Sequence, residues 1–310
     1  MPIKVPDNLP ALRVLESENI FVMTRSRADT QDIRPLKLLI LNLMPTKIAT
    51  ETQLLRALSN TPLQVEIELM CMTSHVPRHT PQEHLLEFYT TFDDVCRKRY
   101  DGMIITGAPV EKMDFEEVDY WRELCDVMDW SRTHVFSSFH ICWGAQAALY
   151  RHYGIRKYPL AEKVFGVFTH RLLHTSSPLT RGFDDYFLAP HSRHTEVRES
   201  DVRNVPALRV LAVSDAAGLY LAESKDARQV FATGHSEYDA DTLSQEYFRD
   251  RDSGLGTALP VDYFPEDDTT KKPMKTWRSH AFLLYTNWLN YYVYQATPYN
   301  IDSIGEGKSG

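Results

Sequence analysis

Residues 133–150, THVFSSFHICWGAQAALY, carry the pattern on which the fold turns. An apolar run stops at Cys142, and a run of small residues begins directly behind it. This predicts a strand, a sharp turn bearing Cys142, and then a helix. Gly144, Ala145, Ala147 and Ala148 allow such a helix to lie close on the strand. The amides behind the turn form a helix N-terminus, whose partial positive charge favours a thiolate. A cysteine held there is a candidate nucleophile; a cysteine merely buried there is a small hydrophobe, and position alone leaves both readings open.

Working outward, the next informative stretch is Gly234-His235-Ser236-Glu237, which follows the apolar run Gln229–Ala232. If that run is a strand, His235 and Glu237 leave its end on the same side, because strand side chains alternate. The carboxylate then orients the imidazole and stabilises its protonated form. Cysteine, base and orienting carboxylate complete a nucleophilic set. With twelve histidines in the chain, His235 alone is weak evidence. Its pairing with a cysteine on an elbow is stronger.

Chain order Cys, then His-x-Glu about ninety residues later, resembles the class I glutamine amidotransferase fold. Two positions depart from that pattern: His140 stands where the elbow usually has glycine, and Ser236 where proline usually separates His and Glu. Those departures resemble the homoserine O-acyltransferase family. So do LNLMPTKIATETQLLRAL (41–58), TGAPVE (106–111), APHSRHTE (189–196), ATGHSEYD (232–239) and NWLNYYVYQATPY (287–299). The resemblance spans nearly the whole chain. It implies a mostly parallel α/β sheet flanked by helices, flavodoxin-like, and transfer of an acyl group from coenzyme A to the hydroxyl of L-homoserine.

The resemblance also implies roles residue by residue. Cys142, His235 and Glu237 would be catalytic, while Lys163, Ser192 and Arg249 fall where the family contacts substrate. Arginine suits that role because its planar fork meets a carboxylate with two hydrogen bonds. Glu111 stands at the position associated with acyl specificity, glutamate resembling the acetyl-using members and glycine the succinyl-using ones. A glutamate facing the acyl pocket would meet succinate's free carboxylate. Two like charges ~5 Å apart at an effective dielectric of ~20 repel by roughly 3 kcal/mol. Acetyl-CoA is therefore the expected co-substrate, with succinyl-CoA the alternative. No permanently bound cofactor is expected, and a homodimer follows from the resemblance only.

Composition is consistent with this. Formal net charge is −8, with both signs interspersed, so no basic stripe suggests nucleic acid or an anionic membrane. Four cysteines show neither zinc-site spacing nor the density of a disulfide framework, which fits a reducing cytosol. No leader-like segment and no bilayer-length apolar run is apparent, so a soluble, cytoplasmic protein is expected. The expected division is a polar N-terminal arm over residues 1–35, one α/β domain over 36–297, and a polar, frayed tail over 298–310.

Further elements follow from local pattern. Leu36–Leu43 is apolar nearly throughout, as expected of a central parallel strand covered on both faces. Tyr100–Thr106 reads as a strand ending in Gly107, whose amide, with that of Trp143, is a candidate oxyanion donor. A glycine serving only a turn is an equal reading. Lys163 is expected at the start of a strand, and residues 188–194 as a polar loop past an apolar end. Val210–Val213 and Gly218–Leu221 read as strands of a hairpin joined by residues 214–217, and Tyr238–Asp252 as a helix carrying Arg249. His75, His79 and His84 lie in a proline-rich stretch read as a solvated loop, and no metal is assigned to them. Two readings from other classes remain: an amidase of the glutamine amidotransferase kind, and a non-catalytic binding domain.

Overall fold

The computed structural model describes residues 3–6, 8–17, 23–24, 34–75, 80–298 and 300–304. The apolar run at residue 36 becomes the strand Leu36–Leu41, of which only Lys37 is exposed. It lies in the interior of a sheet whose faces are both covered by helices, which is why its sequence shows no polar alternation.

Twelve strands form one sheet among the described residues. They are β1 (Ile3–Val5), β2 (Met23–Thr24), β3 (Leu36–Leu41), β4 (Val65–Met70), β5 (Tyr89–Thr90), β6 (Tyr100–Ile105), β7 (Val135–Ile141), β8 (Tyr158–Leu172), β9 (Tyr186–Glu196), β10 (Leu208–Ser214), β11 (Gly218–Ser224) and β12 (Gln229–Ala232). Their order is β2-β1-β4-β3-β6-β7-β12-β11-β10-β8-β9, with β5 beside β4. From β2 to β12 neighbouring strands run parallel. From β12 to β9 they run antiparallel, and β10 and β11 form the expected hairpin. The architecture is thus the expected α/β sheet, parallel through its centre, with an antiparallel extension.

Helices Lys47–Leu58 and Arg278–Asn287, the latter continued by a π-helical turn Trp288–Tyr294, pack on one face through Leu54, Leu58, Leu284 and Trp288. Helices Trp121–His134 and Trp143–Tyr153 pack on the other through Leu124, Met128, Trp143 and Leu149. A third cluster joins Phe165 and Val167 of β8 to Leu243 of the helix Thr242–Asp252 and to Trp277.

Several expectations need correction. Residues 188–194 are not a loop but the middle of β9, buried at His191 and Arg193. Lys163 lies well inside β8 rather than at its start. His84 is not in a solvated loop: it sits on the helix Gln82–Phe88, 7 % exposed, with Nε2 2.9 Å from Glu51. His75 Nδ1 lies 2.7 Å from Asp119, and His79 lies outside the described residues. At the N-terminus, β1 extends the sheet beside β4, and Ala11 and Leu15 of the helix Pro10–Ser17 enter the core, where an overlying arm was expected. Near the other end Ile304 is buried and its carbonyl accepts from Arg99, so the tail is docked through that residue.

Candidate active site

Strands β6, β7 and β12 are adjacent and parallel, so the residues following them emerge at one edge of the sheet. That carboxyl edge is where open α/β sheets bind ligands. Gly107 follows β6, Cys142 follows β7, and His235 lies just beyond β12.

Cys142 has φ 50° and ψ −116° and begins the helix Trp143–Tyr153. Holding a residue with a side chain there costs on the order of 1–3 kcal/mol, and the surroundings must impose it. They do so through its own backbone. The Cys142 amide donates to the Ala232 carbonyl at 2.7 Å, and its carbonyl accepts from Ala145 and Gln146 at 3.0 and 3.1 Å. Gly144 makes the close helix possible: a Cβ there would stand 2.5 Å from the Thr106 carbonyl oxygen. Helix geometry leaves the Trp143 and Gly144 amides without an intrahelical acceptor, at the positive end of the helix dipole.

His235 is 4 % exposed, and its Nδ1 lies 2.7 Å from Glu237 Oε1. This leaves Nε2 as the nitrogen open to Cys142, whose charge acts on the imidazole. Burial works against a charged imidazole, but the Cys142 thiolate and the Glu237 carboxylate outweigh it and raise His235 well above its ordinary value. The ring of Tyr238 stacks on His235 with centroids 4.1 Å apart, and the Tyr285 hydroxyl donates to Glu237 Oε2 at 3.5 Å. The expected cysteine, base and carboxylate therefore meet in one buried chain of contacts.

A Cβ on Gly107 would lie 3.3 Å from Cys142 Cβ and 3.5 Å from His235 Cε1. A larger side chain here would push the reacting groups apart. Gly107→Val is expected to lower turnover roughly 100-fold, because displacements near 1 Å have that cost. Steady-state kinetics beside a thermal melt separates this from unfolding.

A second group of residues lines the wall formed by β8, β9 and the helix Thr242–Asp252. Lys163 Nζ lies 3.2 Å from Asp250 and 3.7 Å from Glu246, and 3.9 Å above the Phe165 ring. Ser192 donates to Glu246 at 2.5 Å. Arg249 donates twice to Asp250, at 2.9 and 2.7 Å, with its side chain 66 % exposed. Its fork thus rests on a neighbouring carboxylate. Burial raises the Glu111 carboxyl, while the His194 amide, Lys163, His235 and Arg193 act against the rise. Glu111 therefore lies within electrostatic reach of both groups.

Sequence reasoning passed over Arg193, Glu246 and Asp250. Arg193 is 1 % exposed and donates to the Thr195 and Ala217 carbonyls and to His191 Nδ1. Burial lowers its pKa, opposed by the charges of Cys142, Glu196 and Glu111, so it is a buried cation close to Cys142. Period-two alternation through residues 189–196 could have revealed it, by placing His191 and Arg193 on one face and Ser192 on the other. Glu246 and Asp250 recur at helical spacing, but acidic residues at such spacing usually face solvent.

Comparison with known proteins adds the following. The family model described as homoserine O-succinyltransferase matches residues 2–299. A homoserine O-acetyltransferase of Acetivibrio thermocellus is 60% identical over 304 residues, 98% of this chain and 100% of that protein. One from Methanomethylophilus alvi is 60% identical over 306 residues, 99% of each chain. Among solved structures, a glutamine amidotransferase from Thermotoga maritima superposes with a TM-score of 0.54 at 12% identity, covering 83% of this chain and 98% of that one. That last likeness concerns the fold alone.

Proposed function

Since the chain belongs to the homoserine O-succinyltransferase family, we propose that it transfers the acetyl group of acetyl-CoA to the hydroxyl of L-homoserine, giving O-acetyl-L-homoserine for methionine synthesis. The observation that carries the mechanism is the buried Cys142–His235–Glu237 chain on a positive-φ elbow. Sγ of Cys142 attacks the thioester carbonyl of acetyl-CoA, and coenzyme A leaves with the proton held by His235. This exchanges one thioester for another, so the acyl-enzyme is not a deep energy well. Neutral His235 then takes the homoserine hydroxyl proton as that oxygen attacks the acyl carbon, and the Cys142 thiolate is released.

The negative oxygen formed in each step needs donors. The amides of Gly107 and Trp143 are the proposed pair, and one such donor is typically worth ~2.7–4 kcal/mol. Kinetics should be ping-pong. Intact-protein mass spectrometry after brief mixing with acetyl-CoA, without homoserine, tests the first step: an acetyl adduct that homoserine discharges supports the mechanism, and a chain that stays unmodified by either acetyl-CoA or succinyl-CoA overturns it.

Glu111 supports acetyl over succinyl as the donor, in agreement with the names of the two relatives. An ionised Glu111 repels a second carboxylate, and the like-charge cost of roughly 3 kcal/mol corresponds to about 100-fold. Glu111→Gly is expected to shift the ratio of kcat/KM for acetyl-CoA to that for succinyl-CoA by about this factor toward succinyl. Because burial raises Glu111 from 4.5, the wild-type preference should weaken on acidification at a pH above that at which an exposed glutamate titrates. A donor ratio unmoved by both the substitution and pH would remove Glu111 from the donor site.

Lys163, Ser192 and Arg249 are the proposed homoserine contacts, with Arg249 swinging from Asp250 to the α-carboxylate. The reading includes a cytoplasmic homodimer with no resident cofactor. No helix among the described residues is long and apolar enough to cross a membrane.

A further inference from the structure

The proposed homoserine contacts are cations and a hydroxyl, yet an amino acid also carries an ammonium group. Two carboxylates stand beside those contacts, Glu246 and Asp250, both on the helix Thr242–Asp252. They are not equivalent. Asp250 is engaged by both cations: Oδ2 receives Lys163 at 3.2 Å and Oδ1 receives two donors of Arg249. Glu246 is held by hydroxyls instead, Ser192 on Oε2 at 2.5 Å and Tyr238 on Oε1 at 3.0 Å, with Lys163 only at 3.7 Å. Its side chain is 15 % exposed. A carboxylate fixed by two hydroxyls, with a longer ion pair to Lys163 than Asp250 has, is suited to take a further cation.

Position strengthens the point. Glu246 and Arg249 are three residues apart on one helix, a spacing that brings side chains onto a common face about 5–6 Å apart at Cβ. An acid and a base so placed match the ammonium and carboxylate of one α-amino acid. Glu246 is also joined to the catalytic base by a single side chain, since the Tyr238 ring that donates to it stacks on His235. An amino acid held at its α-carbon by this pair would extend its side-chain hydroxyl toward that base.

We propose that Glu246 is the specificity-determining acceptor for the α-ammonium of the acyl acceptor, paired with Arg249 on the α-carboxylate. The assignment rests on the acyltransferase reading. It gives a role to the carboxylate that Ser192 and Lys163 share, one helical turn from Arg249, and it requires the acceptor to be a zwitterion rather than a simple hydroxy acid.

The test separates the two half-reactions. Glu246→Gln keeps the shape but removes the charge, its oxygen accepting from one hydroxyl and its amide donating to the other. It should be acetylated by acetyl-CoA as the wild type is, since that step precedes acceptor binding. Discharge by homoserine, read as kcat/KM, should fall about 100-fold. Discharge by 4-hydroxybutyrate, which lacks the amino group, should be slow in the wild type and unchanged in the variant. Glu246→Asp should recover part of the preference for homoserine. Equal losses with both acceptors, or slowed acetylation, would mean that Glu246 acts through Tyr238 and His235 and would overturn the proposal. Discharge of acetylated E246Q by homoserine at the wild-type rate would overturn it alone, whereas a wild-type chain that takes no acetyl group overturns the acyltransferase reading and this assignment with it.

Discussion

Cys142→Ser is expected to take no acetyl group from acetyl-CoA at neutral pH and to lose roughly 10⁴-fold or more in kcat. The substitution changes one atom, yet several features of the site depend on sulfur. A serine hydroxyl is far harder to ionise, so the charge opposite His235 disappears along with the nucleophile. That charge helps to hold the imidazole above its ordinary value. The elbow itself should survive, because it is held by backbone contacts to Ala232, Ala145 and Gln146 and not by Sγ. Intact-mass spectra and a thermal melt check both halves: an acetylated serine variant with near-normal turnover would exclude Cys142 as the acyl carrier.

The second large effect concerns His235. His235→Asn preserves approximate size and one hydrogen bond to Glu237 but cannot move protons, so both half-reactions should slow. General acid–base catalysis typically supplies 10²–10⁴-fold per step, and a loss of roughly 10³-fold or more in kcat/KM for both substrates is expected. Glu237→Gln should cost less, because it leaves a base that is only poorly oriented.

Stability should respond to pH in a defined direction. The folded-state pKa of His235 is raised, so its protonation stabilises the fold fully below the unfolded value of about 6.5. That contribution is lost as pH rises through the raised folded value. The gap in Tm between wild type and His235→Asn should therefore be wider near pH 6 than in alkaline buffer. A gap that widens with pH would contradict the raised imidazole.

The central strands and the elbow were legible because each has a local cause. β3 reads as an unbroken apolar run, and the small residues after Cys142 can only be explained by a helix packed closely on a strand. His235 and Glu237 were legible because alternation in an extended segment places them on one side. The wall of the site was not. β9 looked like a loop, since His191, Ser192, Arg193 and His194 are polar in succession. Polar residues enter a strand interior when distant partners satisfy them, here the Ala217 carbonyl for Arg193 and Glu246 for Ser192. No local pattern announces partners so far along the chain.

The same division separates identity from arrangement. Residue order and the family pattern were enough for the reaction class and to propose a nucleophile and its base, since these depend on side-chain chemistry carried by short contiguous motifs. Folding alone decided the charge environment: that Arg193 is buried near Cys142, that Asp250 engages both cations, and that Glu246 is held by Ser192 and Tyr238. Coulomb energy depends on distance and burial, and neither is a property of separation along the chain.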